Sequence, residues 1–303
     1  MKFYIGLDGG GTKTKCVLAD ENMHVLFETQ GGPSNFLMLG NQVVSETVLD
    51  LINQSVKNTN VTSKDIAGVV LGTTGAGRRT DAEVLENYFS DLLNRKKMKF
   101  NFRIESDARI ALEGAFSGKP GSILIAGTGS IMFGKDRKGN IHRVGGFGRF
   151  IGDEGSGYTI GRLGLQAVAK SFDGRGSKTL LSNLIEEKFN IGDPSALITE
   201  IYKNKFDIAS VTPLVIQAAN ANDEICLTII ENQIEELVLH LKSMYKLLNE
   251  TEMKVSLIGG TITTDNFYAN KFKEKVSVEL KNIKLTEPEL PPALGAVLMA
   301  MNL

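Results

Sequence analysis

The sequence contains the same strand–glycine–strand pattern twice, at a constant offset of 118 residues from Ile5 to Ile123. The first copy reads IGLDGGGTKTKCVLADENMHVL and the second ILIAGTGSIMFGKDRKGNIHRV, and they align without a gap. Chance similarity between two short hairpins is the alternative, because apolar strands are common. The ungapped match through strand, glycine turn, strand, turn and strand favours an internal duplication. One repeat at this separation predicts two related halves rather than a solenoid.

Strand and helix patterns alternate in the rest of the chain, which predicts an α/β fold. In the first half, residues 42–57 and 81–97 show helical spacing, residues 66–72 and 100–105 are typical of strands, and a helix capped by Ser106 or Asp107 follows. The second half is rich in helical patterns from residue 156 to residue 248. A further strand then ends in Gly259 and Gly260, and Pro291 and Pro292 open a last helix.

Chain length, net charge, cysteine content and the length of the apolar runs limit the functional classes to which the protein can belong. A chain of 303 residues is long enough for two domains with proper cores, and a net charge of -1 gives no general electrostatic case for nucleic acid or membrane partners. Cys16 and Cys226 belong to no CxxC or Cys/His cluster, which argues against a structural zinc site or a disulfide scaffold. The N-terminal apolar stretch is too short for a signal peptide, and no apolar run approaches the ~20 residues of a membrane span. We therefore expect a cytoplasmic protein.

Three strand ends carry glycines: Gly9–Gly11, Gly127–Gly129 and Gly259–Gly260. Glycine lets backbone N–H groups approach an anion closely, and the hydroxyls of Thr12, Thr128, Ser130 and Thr261 lie beside these turns. Neither GxxxxGK[ST] nor GxGxxG is present. Two such hairpins could bind a polyphosphate from both sides; the alternative is that each glycine only serves a tight turn.

Asp8 immediately precedes the first glycine turn, at the end of an apolar strand. A carboxylate at this position is typical of a Mg²⁺ site, in which the ion keeps much of its water. A role in the turn or as a helix cap is the alternative. The equivalent residue in the second copy is Ala126, so the pattern predicts a metal ligand on one side only.

Several motifs together resemble a known family. DGGGTK, GTGS and IGG resemble, in order and spacing, the two phosphate motifs and the adenosine motif of the actin-like ATPase superfamily. GGPSN, ESDARIAL, GGFGRFIGDEGSGY and LGAVLMA extend the similarity over nearly the whole length. The chain is most similar to the N-acetylglucosamine kinase branch of the BadF/BadG/BcrA/BcrD-type ATPases, and GFGRFIGDEGS is the most specific of these motifs.

The resemblance implies a fold of two duplicated ribonuclease-H-like lobes, the actin-like ATPase fold, with an interlobe cleft. The smaller lobe would comprise residues 1–114, with the C-terminal helix of residues 292–303 packing back on it, and the larger lobe residues 115–291. It also implies a homodimer.

The implied activity is ATP-dependent phosphorylation of a sugar, with Mg²⁺ as the metal. Thr12 and Thr128 would contact the ATP phosphates, and Gly259 and Gly260 would face the adenosine. The remaining nucleotide contacts that we expect are Gly10, Gly11, Lys13, Gly129 and, through a shorter match, Ala219.

In the family's motifs the aspartate that corresponds to Asp107 is the base for the sugar 6-hydroxyl; a plain N-cap of the following helix is the alternative. Asn35 and Asp153 would bind sugar hydroxyls, although the Asp153–Glu154 pair could also be a metal pair or a favourable helix N-terminus. Further sugar contacts are expected from Ser130, Gly146, Phe147 and Gly148.

Three residues depart from the family pattern: Phe36, Ile131 and Phe147. They predict a less polar sugar pocket, which leaves the acceptor open between N-acetylglucosamine and a bulkier sugar such as N-acetylmuramic acid with its lactyl ether. Glucosamine or glucose kinases of the same fold are alternatives. So are an activator ATPase with an iron–sulfur cluster shared between subunits, and a nucleotide switch without sugar phosphorylation.

Overall fold

The structure, a computed structural model, describes all residues from Met1 to Leu303. The chain forms two compact units: unit 1 comprises Met1–Gly121 and Glu287–Leu303, and unit 2 comprises Ser122–Thr286. The helices and sheets of both units confirm the predicted α/β class.

Unit 1 is built on a five-stranded mixed sheet with the strand order β3-β2-β1-β4-β5. Its elements are β1 (Phe3–Gly9), β2 (Thr14–Asp20), β3 (Val25–Gly31), α1 (Phe36–Leu39), α2 (Asn41–Lys57), β4 (Ile66–Thr73), α3 (Arg79–Lys96), β5 (Asn101–Ser106), α4 (Asp107–Ala115) and, from the C-terminus, the helix Pro292–Ala300. The first three strands form an antiparallel meander, whereas β1, β4 and β5 are parallel.

The alternation of side chains along β1 sets both faces of this sheet. Ile5 and Leu7 are fully buried in the core that also contains residues of α2 and α3. Gly6 points to the other face, where a Cβ would lie 2.1 Å from the carbonyl oxygen of Ala293. The C-terminal helix therefore packs directly on β1, and any side chain at position 6 would push it away.

Unit 2 contains a second five-stranded mixed sheet, with the order β10-β9-β6-β7-β8. Its elements are β6 (Gly121–Ala126, beginning at the unit boundary), β7 (Ser130–Lys135), β8 (Ile141–Gly145), α5 (Gly157–Phe172), α6 (Leu180–Phe189), α7 (Pro194–Tyr202), a 3₁₀ helix (Ile208–Val211), α8 (Thr212–Asn220), α9 (Glu224–Leu248), β9 (Met253–Ile258), α10 (Gly260–Thr263), α11 (Phe267–Glu279) and β10 (Ile283–Leu285). The C-terminal helix of unit 1 is therefore α12.

The two sheets have the same strand order when the repeated hairpins are matched. β1, β2 and β3 correspond to β6, β7 and β8, and the pair β4–β5 corresponds to β9–β10. The predicted duplication therefore accounts for the shared architecture. In unit 2 the core is completed by long amphipathic helices, of which the 25-residue α9 is the longest.

None of the helices combines the length and the apolar composition that crossing a bilayer requires.

Candidate functional site

The first glycine turn joins β1 to β2 in unit 1. The N–H of Gly10 donates to the carbonyl of Lys13 over 2.9 Å, which closes the turn. Gly11, Thr12 and Lys13 are exposed at its tip. The backbone of Gly11 and the hydroxyl of Thr12 are thus accessible at the tip of the turn.

The glycines of this turn differ in what they do for the fold. A Cβ on Gly9 would lie 1.9 Å from the hydroxyl oxygen of Ser34, so that glycine is required by internal packing. A Cβ on Gly11 would meet nothing within 4 Å, and its φ lies outside the left-handed region. Packing therefore explains Gly9 and leaves Gly11 without an internal reason to be glycine, as expected where a ligand approaches the backbone.

Unit 2 brings the second and third glycine turns together. The carbonyl of Gly127 accepts hydrogen bonds from the N–H of Gly157, at 2.8 Å, and from the hydroxyl of Thr261, at 3.1 Å. Gly259, with φ +100°, allows the end of β9 to approach β6, because a Cβ there would lie 2.6 Å from the carbonyl oxygen of Ala126. Two strand ends thus meet at one point, as parallel strands allow.

A cavity of about 340 Å³ lies at this meeting point. Its walls are formed by Gly127, Thr128, Gly157, Asp207, Ala209, Ser210, Gly260 and Thr261. Two glycine turns, three hydroxyls and one carboxylate suit the phosphates and sugar of a nucleotide.

Asp107 is fixed at the start of α4 in unit 1. Its Oδ2 accepts from the hydroxyl of Thr74 over 2.8 Å, and its Oδ1 accepts from the N–H of Ala108, also over 2.8 Å. Ser106, not Asp107, is the N-cap, since its hydroxyl accepts from the N–H of Arg109. The simple capping role that the sequence left open for Asp107 therefore belongs to its neighbour.

Asp8 lies at the end of β1, and its pKa depends on the charge of Asp107. Burial raises the pKa of Asp8, the negative charge of Asp107 raises it further, and Lys15 and Lys13 act in the opposite direction. Two carboxylates that repel each other across a partly buried space are a suitable place for a cation.

The donor set fits Mg²⁺ bound mainly through water and ligand. No group of three or more His, Cys, Asp or Glu side chains gathers to form a complete protein cage. Mg²⁺ commonly uses one or two carboxylates and fills its other positions with water and substrate phosphates. Asp8, which interacts electrostatically with Asp107 and immediately precedes the glycine turn, matches that mode.

Asn35 offers an unsatisfied polar atom next to these acids. Its side chain makes no capping bond to α1, and its Oδ1 is buried without a hydrogen-bond partner. A Cβ on Gly75, which follows Thr74, would lie 3.3 Å from that oxygen. A buried acceptor without a donor is costly, and Oδ1 of Asn35 is an acceptor that no other group of the protein uses.

Asp153 has a left-handed backbone. Its φ of +58° is uncommon for a residue with a side chain, although Lys205 and three asparagines of unit 2 share this conformation. Burial raises the pKa of its carboxyl, whereas the nearby backbone N–H groups of Ser130 and Gly148 oppose the rise. A Cβ on Gly129 would lie 3.0 Å from Oδ2 of Asp153, so the glycine turn makes room for this carboxylate.

Ser130 holds the Asp153 segment in place. It is buried, and its hydroxyl donates to the carbonyl of Glu154 over 2.6 Å. The hydroxyl predicted to touch the sugar is therefore occupied inside unit 2, and only the backbone N–H of Ser130 points toward the Asp153 carboxylate.

The loop of residues 146–152 folds over this segment. Gly146 and Gly148 have φ of +72° and +85°, and Phe147 between them is 68 % exposed. Arg143 holds the start of the loop through the carbonyls of Gly145 and Gly146. The loop thus brings the backbone of Gly148 to the Asp153 carboxylate, whereas the exposed ring of Phe147 lies under the guanidinium of Arg143.

A second cavity, of about 730 Å³, lies along Asp153 in unit 2. Thr128 and Asp207 line both cavities, so the second is a neighbour of the one at the glycine turns. Its other walls include Gly129, Arg149, Phe150, Tyr158, Lys205 and Phe206. A site with carboxylate, cationic and aromatic walls suits a polar ring such as a sugar.

The predicted site residues thus fall into two groups. Unit 1 holds Asp8, Gly10, Gly11, Thr12, Lys13, Asn35 and Asp107, and unit 2 holds Thr128, Gly129, Ser130, Gly146, Phe147, Gly148, Asp153, Gly259 and Gly260. Ala219 differs from them. It is fully buried among the core residues of unit 2 and lines neither cavity, so the structure gives no support to its predicted contact with a nucleotide.

Sequence reasoning did not single out Thr74, Asp207 or Ser210. Thr74 stands in the glycine-rich GTTGAGRR after β4, which was a usable signal. Asp207 is the N-cap of a 3₁₀ helix and Ser210 lies within it, in a segment without clear periodicity, so that only the folded chain reveals that they line the cavity.

Comparisons with known proteins agree with this geometry. The family model described as the BadF/BadG/BcrA/BcrD ATPase family matches residues 5–300. An N-acetylmuramic acid/N-acetylglucosamine kinase of Clostridium acetobutylicum is 33% identical over 307 residues, covering 100% of this chain and 99% of the relative. An N-acetyl-D-glucosamine kinase of Dictyostelium discoideum is 30% identical, covering 99% and 98% of the two chains.

Among solved structures, a provisionally named N-acetylglucosamine kinase from Chromobacterium violaceum superimposes with a TM-score of 0.74 at 26% identity, covering 99% of each chain. A ROK family glucokinase from Streptomyces griseus, solved with glucose and AMPPNP, gives a TM-score of 0.53 at 13% identity and covers 98% of each chain. At that identity the second match concerns the fold alone.

Proposed function

Because the chain belongs to the BadF/BadG/BcrA/BcrD ATPase family, we propose that it is an ATP-dependent kinase for the 6-hydroxyl of an N-acetylated amino sugar. N-acetylglucosamine is the proposed acceptor, and N-acetylmuramic acid is accepted as well. The observation that carries the proposal is the oriented Asp107 carboxylate, held by Thr74 beside the charge of Asp8. The names and the full-length coverage of the two relatives support the same substrate class.

Asp107 is the proposed catalytic base. Phosphoryl transfer demands positioning and charge neutralisation more than covalent chemistry by the protein. The carboxylate orients the sugar hydroxyl and receives its proton as the new O–P bond forms, a role typically worth about 10²–10⁴-fold in rate. Thr74 keeps the carboxylate turned toward the acceptor.

ATP is proposed to bind through the glycine turns, as the family resemblance implies. The proposed contacts are Gly10, Gly11, Thr12, Lys13, Thr128 and Gly129 for the phosphates, and Gly259 and Gly260 for the adenosine. Exposed N–H groups without a Cβ in the way stabilise phosphate oxygens, and Lys13 adds a positive charge.

Mg²⁺ is proposed to lie at Asp8, near Asp107. When bound, it neutralises charge on the ATP phosphates. The raised pKa of Asp8 supports this assignment, because a carboxylate repelled by a neighbouring acid gains most from a cation.

Asn35 and Asp153 are the proposed ligands of the sugar hydroxyls, as the family resemblance implies. Asn35 Oδ1 is a buried acceptor that lacks a donor, and the Asp153 carboxylate borders the larger cavity. Both therefore suit sugar hydroxyls. The backbone of Gly146, Phe147, Gly148 and Ser130 would complete the sugar site.

An ADP-release assay with Mg²⁺ and a panel of sugars tests the proposal. The panel consists of N-acetylglucosamine, N-acetylmuramic acid, glucosamine and glucose, with product phosphorylation read by mass spectrometry. We expect the highest kcat/KM with an N-acetylated sugar. Turnover of glucose or glucosamine alone would replace the acceptor class, and absence of any sugar phosphate would overturn the kinase proposal.

The activator ATPase is a weaker candidate. A cluster shared between subunits needs accessible thiolates. Cys16 and Cys226 are both fully buried, and burial raises the pKa of each thiol to about 12. A nucleotide switch is distinguished by ATP hydrolysis that does not depend on the sugar.

Assembly and location belong to the same proposal. We propose a cytoplasmic homodimer, as the family resemblance implies. Light scattering coupled to size exclusion checks the mass of the assembly, which is expected to be twice that of the 32.9 kDa chain, and cell fractionation checks the location.

A further inference from the structure

Arg149 is a cation on the wall of the larger cavity that the proposed reaction does not use. It lies in the loop of residues 146–152 and lines the same cavity of about 730 Å³ as Asp153. Its guanidinium contacts two aromatic rings and no carboxylate of the protein. In unit 2, Arg137 and Arg175 are each paired with a carboxylate, whereas Arg143 binds backbone carbonyls.

The two rings orient this guanidinium. Its Cζ lies 5.1 Å from the ring centre of Phe150 and 5.7 Å from that of Tyr158. Stacking on aromatic faces satisfies the faces of a guanidinium and leaves its N–H edge available for an acceptor. The contacts with the two rings therefore leave the N–H groups of Arg149 available as donors to a ligand.

Backbone hydrogen bonds connect the loop that carries Arg149, and Tyr158 beside it, to residues proposed to bind the sugar and the nucleotide. The N–H of Gly148, the preceding residue, lies near the Asp153 carboxylate, and the carbonyl of Gly148 closes the turn by accepting from Gly152 over 2.8 Å. Tyr158 donates its N–H to the carbonyl of Thr128 over 3.1 Å. The backbone of the loop that carries Arg149 is thus hydrogen-bonded to Asp153, and the backbone of Tyr158 to Thr128.

The other charged residues of the cavity are compatible with an anion bound beside the guanidinium of Arg149. Lys205 is a second cation on its wall, and the two carboxylates are Asp153 and Asp207. Asp153 is the proposed sugar contact, and Asp207 also borders the nucleotide cavity. Phe150 and Phe206 add apolar surface, which suits a short carbon arm that carries a charge.

We infer that Arg149 recognises a carboxylate carried by the amino sugar on a short ether arm, the group that distinguishes N-acetylmuramic acid from N-acetylglucosamine. The inference rests on the proposed sugar kinase function and assigns its specificity to one residue. A guanidinium and a carboxylate form a charge-assisted, often bidentate pair, so the protein should prefer the charged form of the arm over a neutral one.

The test compares two forms of one sugar. Wild-type protein and Arg149→Met are assayed with N-acetylmuramic acid and with its methyl ester, which keeps the arm and removes the charge. We expect the wild type to favour the free acid by about tenfold or more in kcat/KM, the worth of one hydrogen bond between charged groups. In Arg149→Met the preference for the free acid over the ester should fall to near unity, because the group that pairs with the carboxylate is gone.

Two further variants separate charge from packing. Arg149→Lys keeps the charge without the planar fork and should retain part of the preference for the acid. Arg175→Met removes an exposed arginine that pairs with Asp173 away from the cavity, and it should leave the preference unchanged.

The outcomes are distinct. Equal kcat/KM for acid and ester in the wild type, or an unchanged preference in Arg149→Met, overturns the assignment of Arg149 and leaves the kinase proposal standing if N-acetylglucosamine is phosphorylated. If the wild type phosphorylates none of the three sugars, the proposed function fails as well.

Discussion

The hydroxyl of Thr74 donates to Oδ2 of Asp107 over 2.8 Å. The two residues meet because β4 and β5 are parallel neighbours in which Thr73 pairs with Ser106, so that the next residue of each strand lies at the same edge. The other oxygen of the carboxylate accepts from the N–H of Ala108. Both oxygens are thereby oriented, and Thr74 becomes a positioning residue for the proposed base.

Thr74→Val should therefore slow the reaction without weakening nucleotide binding. The substitution removes the donor at nearly constant volume, and we expect kcat to fall by about tenfold, the worth of one hydrogen bond to a charged group. Steady-state kinetics with saturating sugar measure kcat, and isothermal titration calorimetry measures ATP affinity.

Thr74→Ser is the matched rescue, because it keeps the hydroxyl. Thr47→Val is the control for loss of a threonine hydroxyl, since Thr47 lies on the exposed face of α2 and donates only to the carbonyl of Val43. Equal kcat in Thr74→Val and Thr74→Ser would show that the hydrogen bond plays no part in the reaction.

Asp107→Asn should abolish turnover and leave ATP binding nearly intact. The amide keeps the shape of the side chain but cannot accept a proton, so we expect kcat to fall by about 10²–10⁴-fold. The change also removes the negative charge that raises the pKa of Asp8, so the pKa of Asp8 should move down. A carbon-detected NMR titration of the aspartate carboxyls measures that shift, and an unaltered kcat would remove Asp107 from the mechanism.

The local sequence patterns that predicted the fold correspond to helices and strands of the structure. The glycine hairpins at offset 118 correspond to β1–β3 and β6–β8, and the helix predicted for residues 42–57 is α2, Asn41–Lys57. The glycines at 127 and 260 were predicted to share a role, and they line one cavity. Such features lie at the ends of strands, and the topology of the sheet determines at which edge each strand ends.

Features that depend on which side chain approaches which backbone could not be predicted. Ser130 stands beside a glycine turn as a typical hydroxyl donor does, but its hydroxyl is taken by the carbonyl of Glu154. Thr74 acquires its role only because β4 and β5 are neighbours. Asp207 faces the cavity from a short 3₁₀ helix whose sequence has no diagnostic period.

Asp8→Asn should make the unliganded protein more stable at neutral pH. Burial and Asp107 raise the pKa of Asp8 above 3.8, so the native state keeps this proton to higher pH than the unfolded chain. The carboxyl therefore destabilises the fold as pH rises from 3.8 through the raised pKa, and the cost is absent at lower pH, where both states are protonated. The gain in Tm of the variant, followed by circular dichroism, should thus shrink as pH is lowered toward 3.8.

Asp65→Asn provides the comparison of opposite sign. Thr62 donates to the Asp65 carboxylate through its hydroxyl and its N–H, and these bonds lower the pKa of Asp65. That carboxylate therefore stabilises the fold above its ordinary pKa of 3.8, so its loss should lower Tm at neutral pH. A fall in Tm for Asp8→Asn as well would mean that Asp8 has a favourable partner in the unliganded protein.

Gly9 and Gly11 provide a test of why the first turn is glycine-rich. A side chain at position 9 collides with the hydroxyl of Ser34 at 1.9 Å, whereas one at position 11 enters open space. Gly77, in the loop before α3 of the same unit, also has nothing within 4 Å of a Cβ and is the matched control.

Gly11→Ala should separate stability from nucleotide binding. An alanine in a compatible backbone conformation reduces the entropy of the unfolded chain, so the free energy of unfolding should stay constant or rise by up to about 1 kcal/mol. A methyl group placed between the backbone N–H groups and a phosphate should lower ATP affinity by about tenfold or more, the loss of one charged hydrogen bond. Urea unfolding and calorimetric titration of ATP with Mg²⁺ measure the two effects, and Gly77→Ala should show only the first. If ATP binds equally well to Gly11→Ala and Gly77→Ala, this turn does not hold the phosphates and its glycines serve the fold alone.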